Sequence, residues 1–375
     1  MYDFSKLTAY IDSLKNIGIP LSGIEVKKEN KVIYRHFSGF RDKEHTVPFD
    51  DESLCAIYSA TKVITCIALM RLVEEGKISL DDPVSKYLPE FADVKVQTAD
   101  GIKKAEKVMT IEHLFTMQGG LGYDIWTKQC CDLRAENKIS TREFMKVIAD
   151  MPLYFEPGTD YRYSLCHDVL AGIAEVITGK RYGEWLDEVL FSPLGITHMT
   201  FHLTGDQKKL LSTQYTYNVS KAKASASDNN LDYCMSDNYD SGGAGLYSNL
   251  SDYSKVIGAV ANGGVAENGY RVLKPETIKM MQVGRLCEKS LESFMHMPRY
   301  GYSWGLCGRV HTNPALSLSS SSIGEFGWDG AAAAYVLMDL AEKLSIFYLT
   351  YVRGAAYIYD MVHPRIRELT YEAIK

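Results

Sequence analysis

Apolar positions at the start of the chain recur at helical spacing. Phe4, Leu7, Tyr10, Ile11 and Leu14 share one side and predict an amphipathic helix over residues 3–17. The period then drops to two. Residues 23–28 and 31–37 read as the strands of a hairpin closed by the polar pair Glu29-Asn30. After a connection over 38–51, residues 58–76 return to helix, ending at Gly76 as a C-terminal stop. Here apolar residues run almost all round the wheel (Val63, Ile64, Ile67, Leu69, Leu72), leaving a thin polar strip of Thr61, Arg71 and Glu75. A helix of that kind is a buried one.

The middle of the chain reads mostly as helices and loops. Residues 78–91 make a turn-rich crossing with two prolines, and 109–117 a short helix with Thr110 as its cap. Three glycines follow at 119–122, where unusual backbone angles or a close approach are expected. Further helices are predicted over 141–150, from an Asp168 cap to a Gly179 stop, over 185–191, and over 251–262 before Gly263-Gly264. Residues 218–241 are polar and read as a mobile surface flap. Strands return at 301–310, 325–330, 333–339 and 343–352, and a helix over 364–374 closes the chain. Strands at both ends with helices between imply an α+β protein: one sheet domain built from residues 1–80 and 285–375, carrying a mostly helical domain over 81–284.

Composition narrows the classes. The 375 residues are 46% hydrophobic and 23% charged, as in an ordinary globular protein. A net charge of -6 without a basic cluster argues against a nucleic-acid partner. No window approaches the apolar length of a membrane helix, and residues 1–12 do not read as a signal peptide. The eight cysteines are scattered, with no Cys-x-x-Cys pair, so free thiols and a cytoplasmic location are expected. The nine histidines show no metal-ligand spacing, and His113 has no metal-spaced partner. Neither a Gly-x-Ser-x-Gly elbow nor a phosphate-loop or dinucleotide glycine pattern occurs; the glycines at 242–245 have the wrong spacing.

The chemistry concentrates on the buried helix. Ser59 and Lys62 are one turn apart on the same face, beside Cys66, Met70 and Val73. An ammonium is costly in such surroundings, so burial lowers the lysine pKa and lets the amine act as a base toward the serine. The four-residue pattern alone is cheap. A second copy, Ser220 to Lys223, lies in a polar stretch and reads as solvated loop.

Ser59-Ala-Thr-Lys62, Tyr163-Ser164, Gly242-Gly-Ala-Gly-Leu-Tyr-Ser and Phe326-Gly-Trp-Asp-Gly330 stand in the order found in penicillin-recognising serine hydrolases. The chain resembles their class C β-lactamase branch, and within it the family VIII carboxylesterases. The resemblance implies an antiparallel sheet flanked by helices, with the active site between the sheet and the helical part. It makes Ser59 the nucleophile, Lys62 its activating partner and Tyr163 a sharer of the proton work. The oxyanion hole would be the backbone N–H groups of Ser59 and Ala331. Trp328, Asp329, Gly330, Leu165 and Gly120 would contact substrate, with Gly330 letting the strand lie close to it. No cofactor and no metal are implied.

Two positions depart from the β-lactamase pattern. Trp328 stands where those enzymes carry the lysine of a Lys-Thr-Gly triplet, and Leu165 where the tyrosine motif has asparagine. Both changes remove polar contacts to an anionic β-lactam or a peptide, and both are shared with the esterases. A carboxylesterase for small esters, with weak or no β-lactam turnover, is therefore expected. A β-lactamase or D-amino-acid peptidase, an acyltransferase, and a catalytically silent binding protein on the same scaffold are the alternatives. The oligomeric state is open.

Overall fold

The sequence folds around one seven-stranded antiparallel sheet assembled from the two ends of the chain. In this computed structural model, which describes residues 2–227, 233–295 and 299–375, the strand order is Lys31–Gly39, Leu21–Lys28, Leu344–Leu349, Tyr335–Asp339, Phe326–Gly327, Gly308–His311, Tyr302–Gly305. The first hairpin closes at Glu29 and Asn30, both left-handed (φ 51° and 60°), the geometry a tight two-residue turn demands. Its inner strand then pairs with Leu344–Leu349, Gly23 opposite Leu349 and Lys28 opposite Leu344.

The central strands 335–339 and 344–349 are buried throughout, because both faces of the sheet are covered. Successive side chains alternate between those faces. Phe347 stacks on Tyr253 of the helix Leu250–Ala261, ring centroids 4.2 Å apart. Tyr348 turns the other way, toward His363 at the start of the closing helix His363–Ile374. Helix Ser5–Ser13 packs beside that closing helix.

Three expectations are corrected. Residues 301–310 form a hairpin, not a single strand: the chain reverses at Leu306-Cys307, and Gly308 takes φ +105°. Residues 325–330 are laddered only at Phe326–Gly327, with an isolated bridge from Asp329 to Tyr335. The polar stretch 218–241 is not a flap over its described part. It begins in the hairpin Gln214–Asn218 with Lys223–Ser227 and ends in buried Met235, Tyr239, Asp240 and Ser241, while 228–232 lie outside the described residues. Ser220 and Lys223, the second serine-lysine pair, are exposed on that hairpin. Among the described residues no helix is long and apolar enough to cross a membrane.

Candidate active site

The buried helix expected from the pattern runs Thr61–Glu74, entered through a tight turn at Tyr58–Ala60. Tyr58 sits at φ 47°, a conformation disfavoured for a side chain of that size, directly before Ser59. Such strain clusters where surrounding structure holds a reactive side chain in place. Here Tyr58 donates its hydroxyl to Gln214, and Tyr253 donates to the Ala60 carbonyl at 2.7 Å.

Lys62 is 2% exposed and fully satisfied. Its Nζ donates to the Tyr123 hydroxyl at 2.9 Å and to the Gly243 carbonyl at 2.7 Å, and lies 3.5 Å from Ser59 Oγ. It also rides 4.6 Å from the centre of the Tyr163 ring. Burial lowers its pKa to about 8, despite the opposing pull of Asp168. A neutral amine in this position keeps two donor bonds and turns its lone pair toward Ser59.

Asp168 is not the helix cap it was expected to be. It lies in the first turn of Cys166–Thr178, is buried, and accepts from Tyr239 (2.6 Å), Ser241 (2.6 Å) and the Gly243 N–H (3.3 Å). It thereby fixes the segment whose carbonyls receive Lys62 and, at Gly242, the Thr65 hydroxyl at 2.6 Å. The glycines there are a packing requirement. A Cβ on Gly242 would stand 2.5 Å from the His167 carbonyl, and one on Gly243 2.4 Å from Asp168.

Tyr163 and Trp328 complete the constellation. The Trp328 indole donates to the Tyr163 hydroxyl at 2.9 Å, and the ring itself is wedged against Trp304 at 4.4 Å. Burial pushes the Tyr163 phenol well above its ordinary pKa, and the hydrogen bonds with Ser59 and Trp328 offset only part of that. The phenol is therefore protonated at neutral pH.

These groups open onto a cleft of about 450 Å³ whose wall includes Ser59, Tyr163, Trp328, Asp329, Gly330 and Ala331. Leu165 and Gly120 stand apart from it. Leu165 is buried and ties its N–H to the Gly122 carbonyl, while Gly120 (φ +81°) lies where a Cβ would strike the Phe155 carbonyl at 2.3 Å. Both hold the loops that carry Tyr123 and Tyr163. Gly330 lies on the wall, but the group its missing Cβ accommodates is the Ile57 carbonyl, 2.3 Å from that position. The close approach seats the sheet edge bearing Ala331 against the turn bearing Ser59.

Tyr123, Tyr233, Arg299 and Tyr359 also line the cleft, and the reading of the sequence missed them. The one available signal was the position of Tyr123 directly after the glycines at 119–122. His113 closes a capping box with Thr110, and among the described residues no group of metal-binding side chains forms.

A family model described as Beta-lactamase matches residues 16–359. Esterase EstB of Burkholderia gladioli is 27% identical over 352 residues, covering 87% of this chain and 84% of its own. A putative D-alanyl-D-alanine carboxypeptidase of Escherichia coli (strain K12) is 26% identical over 375 residues, covering 92% and 81%. Among solved structures, EstCE1, a hydrolase with promiscuous acyltransferase activity, superposes with a TM-score of 0.81 at 23% identity, over 98% of both chains.

Proposed function

The chain belongs to the beta-lactamase family of serine hydrolases, and from that premise we propose that it is a carboxylesterase forming an acyl-enzyme on Ser59. The observation that carries this reading is the setting of Lys62, a buried amine with two fixed acceptors and Ser59 Oγ in its third direction.

In the proposed cycle the Ser59 oxygen attacks the ester carbonyl carbon and its proton passes to the Lys62 amine. The developing oxyanion is met by the N–H groups of Ser59 and Ala331; one such donor is worth about 3 kcal/mol in the transition state. The carbonyl–alkoxy bond breaks, and the leaving oxygen takes a proton from Tyr163, which Lys62 replenishes. Water then attacks the acyl carbon in a second round of the same transfers and frees Ser59. An alcohol in place of water would make the same intermediate a transferase, the duality that the description of EstCE1 records for that protein.

Small neutral esters fit the cleft better than β-lactams. Trp328 supplies no cation, and the nearby Arg299 is already paired with Asp329 at 2.5 Å. The proposed location is cytoplasmic, supported by five buried cysteine thiols that a reducing compartment would keep free.

A fluorophosphonate probe tests the proposal. It is expected to label Ser59 in the native protein, and Ser59→Ala should lose p-nitrophenyl butyrate turnover. Labelling elsewhere, or persistent turnover in that variant, overturns it.

A further inference from the structure

One residue of chain separates Lys62 from a carboxylate that the proposed cycle does not use. Asp168 is 1% exposed, lies off the cleft wall and has no ion pair among the described residues. Its Oδ1 collects three donors, the hydroxyls of Tyr239 and Ser241 and the Gly243 N–H. The Ser241 hydroxyl itself accepts the Ala244 N–H at 3.0 Å, so its proton is free to go to Asp168. Oδ2 is shielded from solvent and has no partner. With Oδ1 crowded by donors and no acceptor beside Oδ2, neither oxygen has a place for a proton. The first turn of helix Cys166–Thr178, where Asp168 stands, also favours an anion. Asp168 is therefore a buried charge, and such a charge is strongly unfavourable unless a countercharge is near.

The countercharge is Lys62, and Gly243 joins the two groups. Its N–H lies on Asp168 at 3.3 Å, and its carbonyl takes the Lys62 amine at 2.7 Å. A Cβ there would stand 2.4 Å from Asp168 Oδ2, so the bare Cα lets the carboxylate press against the residue that holds the amine. The other titratable groups around Lys62 are Tyr123, Tyr163, Tyr233, Cys66, Cys166 and His167. Burial keeps the phenols of Tyr123 and Tyr163 and both thiols protonated, and it keeps His167 neutral. Asp168 is the one carboxylate in this company.

We propose that Asp168 is a positioning residue for the reaction: from behind Gly243 it provides the countercharge of Lys62 and so sets the strength of that amine as a base. The assignment rests on Lys62 acting on Ser59. Burial alone would leave an amine that is neutral but a weak base, with little drive to take a proton. The carboxylate behind Gly243 opposes that loss without entering the cleft.

The second-order rate at which a fluorophosphonate labels Ser59, followed across pH, tests the assignment. Asp168→Asn keeps the shape and an acceptor at Oδ1 but removes the charge. Its rising limb should move down by about one pH unit, and its plateau should fall about threefold. Tyr239→Phe keeps its ring against Phe144 and removes a donor that shares the charge, so its limb should move up by about half a pH unit. Packing damage lowers the rate at every pH and does not move the limb in opposite directions. The Tyr239 variant alone carries the test if Asp168→Asn does not fold. A parent that is not labelled at Ser59 overturns the acyl-enzyme reading and this assignment with it. A labelled parent whose folded variants share its limb overturns the role of Asp168 alone.

Discussion

The Trp328 indole N–H points at the Tyr163 hydroxyl from 2.9 Å, so the residue that replaces a lysine in the β-lactamase pattern is bonded to the group expected to move protons. Trp328→Phe keeps a ring against Trp304 and removes the donor. Loss of one such bond corresponds to about 1 kcal/mol, and kcat for p-nitrophenyl butyrate is expected to fall roughly fivefold to tenfold with KM little changed. Trp328→Lys should raise the ratio of cephalosporin to ester turnover. An unchanged ratio would mean that position does not meet a substrate carboxylate.

Burial holds the Lys62 pKa at about 8, and in the proposed cycle the neutral amine is the form that takes the Ser59 proton. Activity should therefore rise with pH, with kcat/KM toward a neutral ester half-maximal near pH 8. Tyr123→Phe removes an acceptor that favours the ammonium, so the rising limb should move to lower pH, by about one pH unit. A limb that stays in place, or moves upward, would show that Tyr123 does not govern Lys62.

Gly330→Ala would thrust a methyl group onto the Ile57 carbonyl, which no side-chain rotation can relieve. Overpacking of this sort costs about 1–3 kcal/mol. It should also widen the gap between Ala331 and Ser59, so kcat is expected to drop roughly a hundredfold while melting temperature falls only modestly. A large loss of stability with kcat preserved in the folded fraction would assign the contact to packing alone.

Arg309 is buried with Glu325 and Asp329, both also buried. Arg309→Met leaves two carboxylates short of a cation and is expected to cost about 3–5 kcal/mol, read as a lower denaturant midpoint. A cost below about 1 kcal/mol would mean that Arg299 on Asp329 and the Tyr302 and Ser321 hydroxyls on Glu325 suffice without it.

Much of this was legible beforehand because it is local. The period of Val63, Ile64, Ile67 and Leu72 marked a buried helix, and burial of a lysine on it carried the chemical inference with it. The first hairpin was legible from Glu29-Asn30. What escaped depends on partners far along the chain. Tyr123 is one tyrosine among 25 until Lys62 is found 2.9 Å away. Asp168 looked like a cap because cap residues and buried tethers share the same side chains; only Tyr239, Ser241 and Gly243 tell them apart. The strand over 301–310 was read as continuous because both arms of its hairpin are buried, so polarity does not change across the reversal, and its marks are Gly305 and Gly308, which face each other across the turn.

Strand Leu21–Lys28 finds its inner neighbour only in Leu344–Leu349, and the turn bearing Ser59 finds its facing edge only at Gly330. During synthesis the segment bearing Ser59 leaves the ribosome long before either partner exists. The nascent chain can wind its helices early, yet the cleft beside Ser59 closes only once the last strands have emerged. Hydrolytic competence thus arrives as the final event of folding.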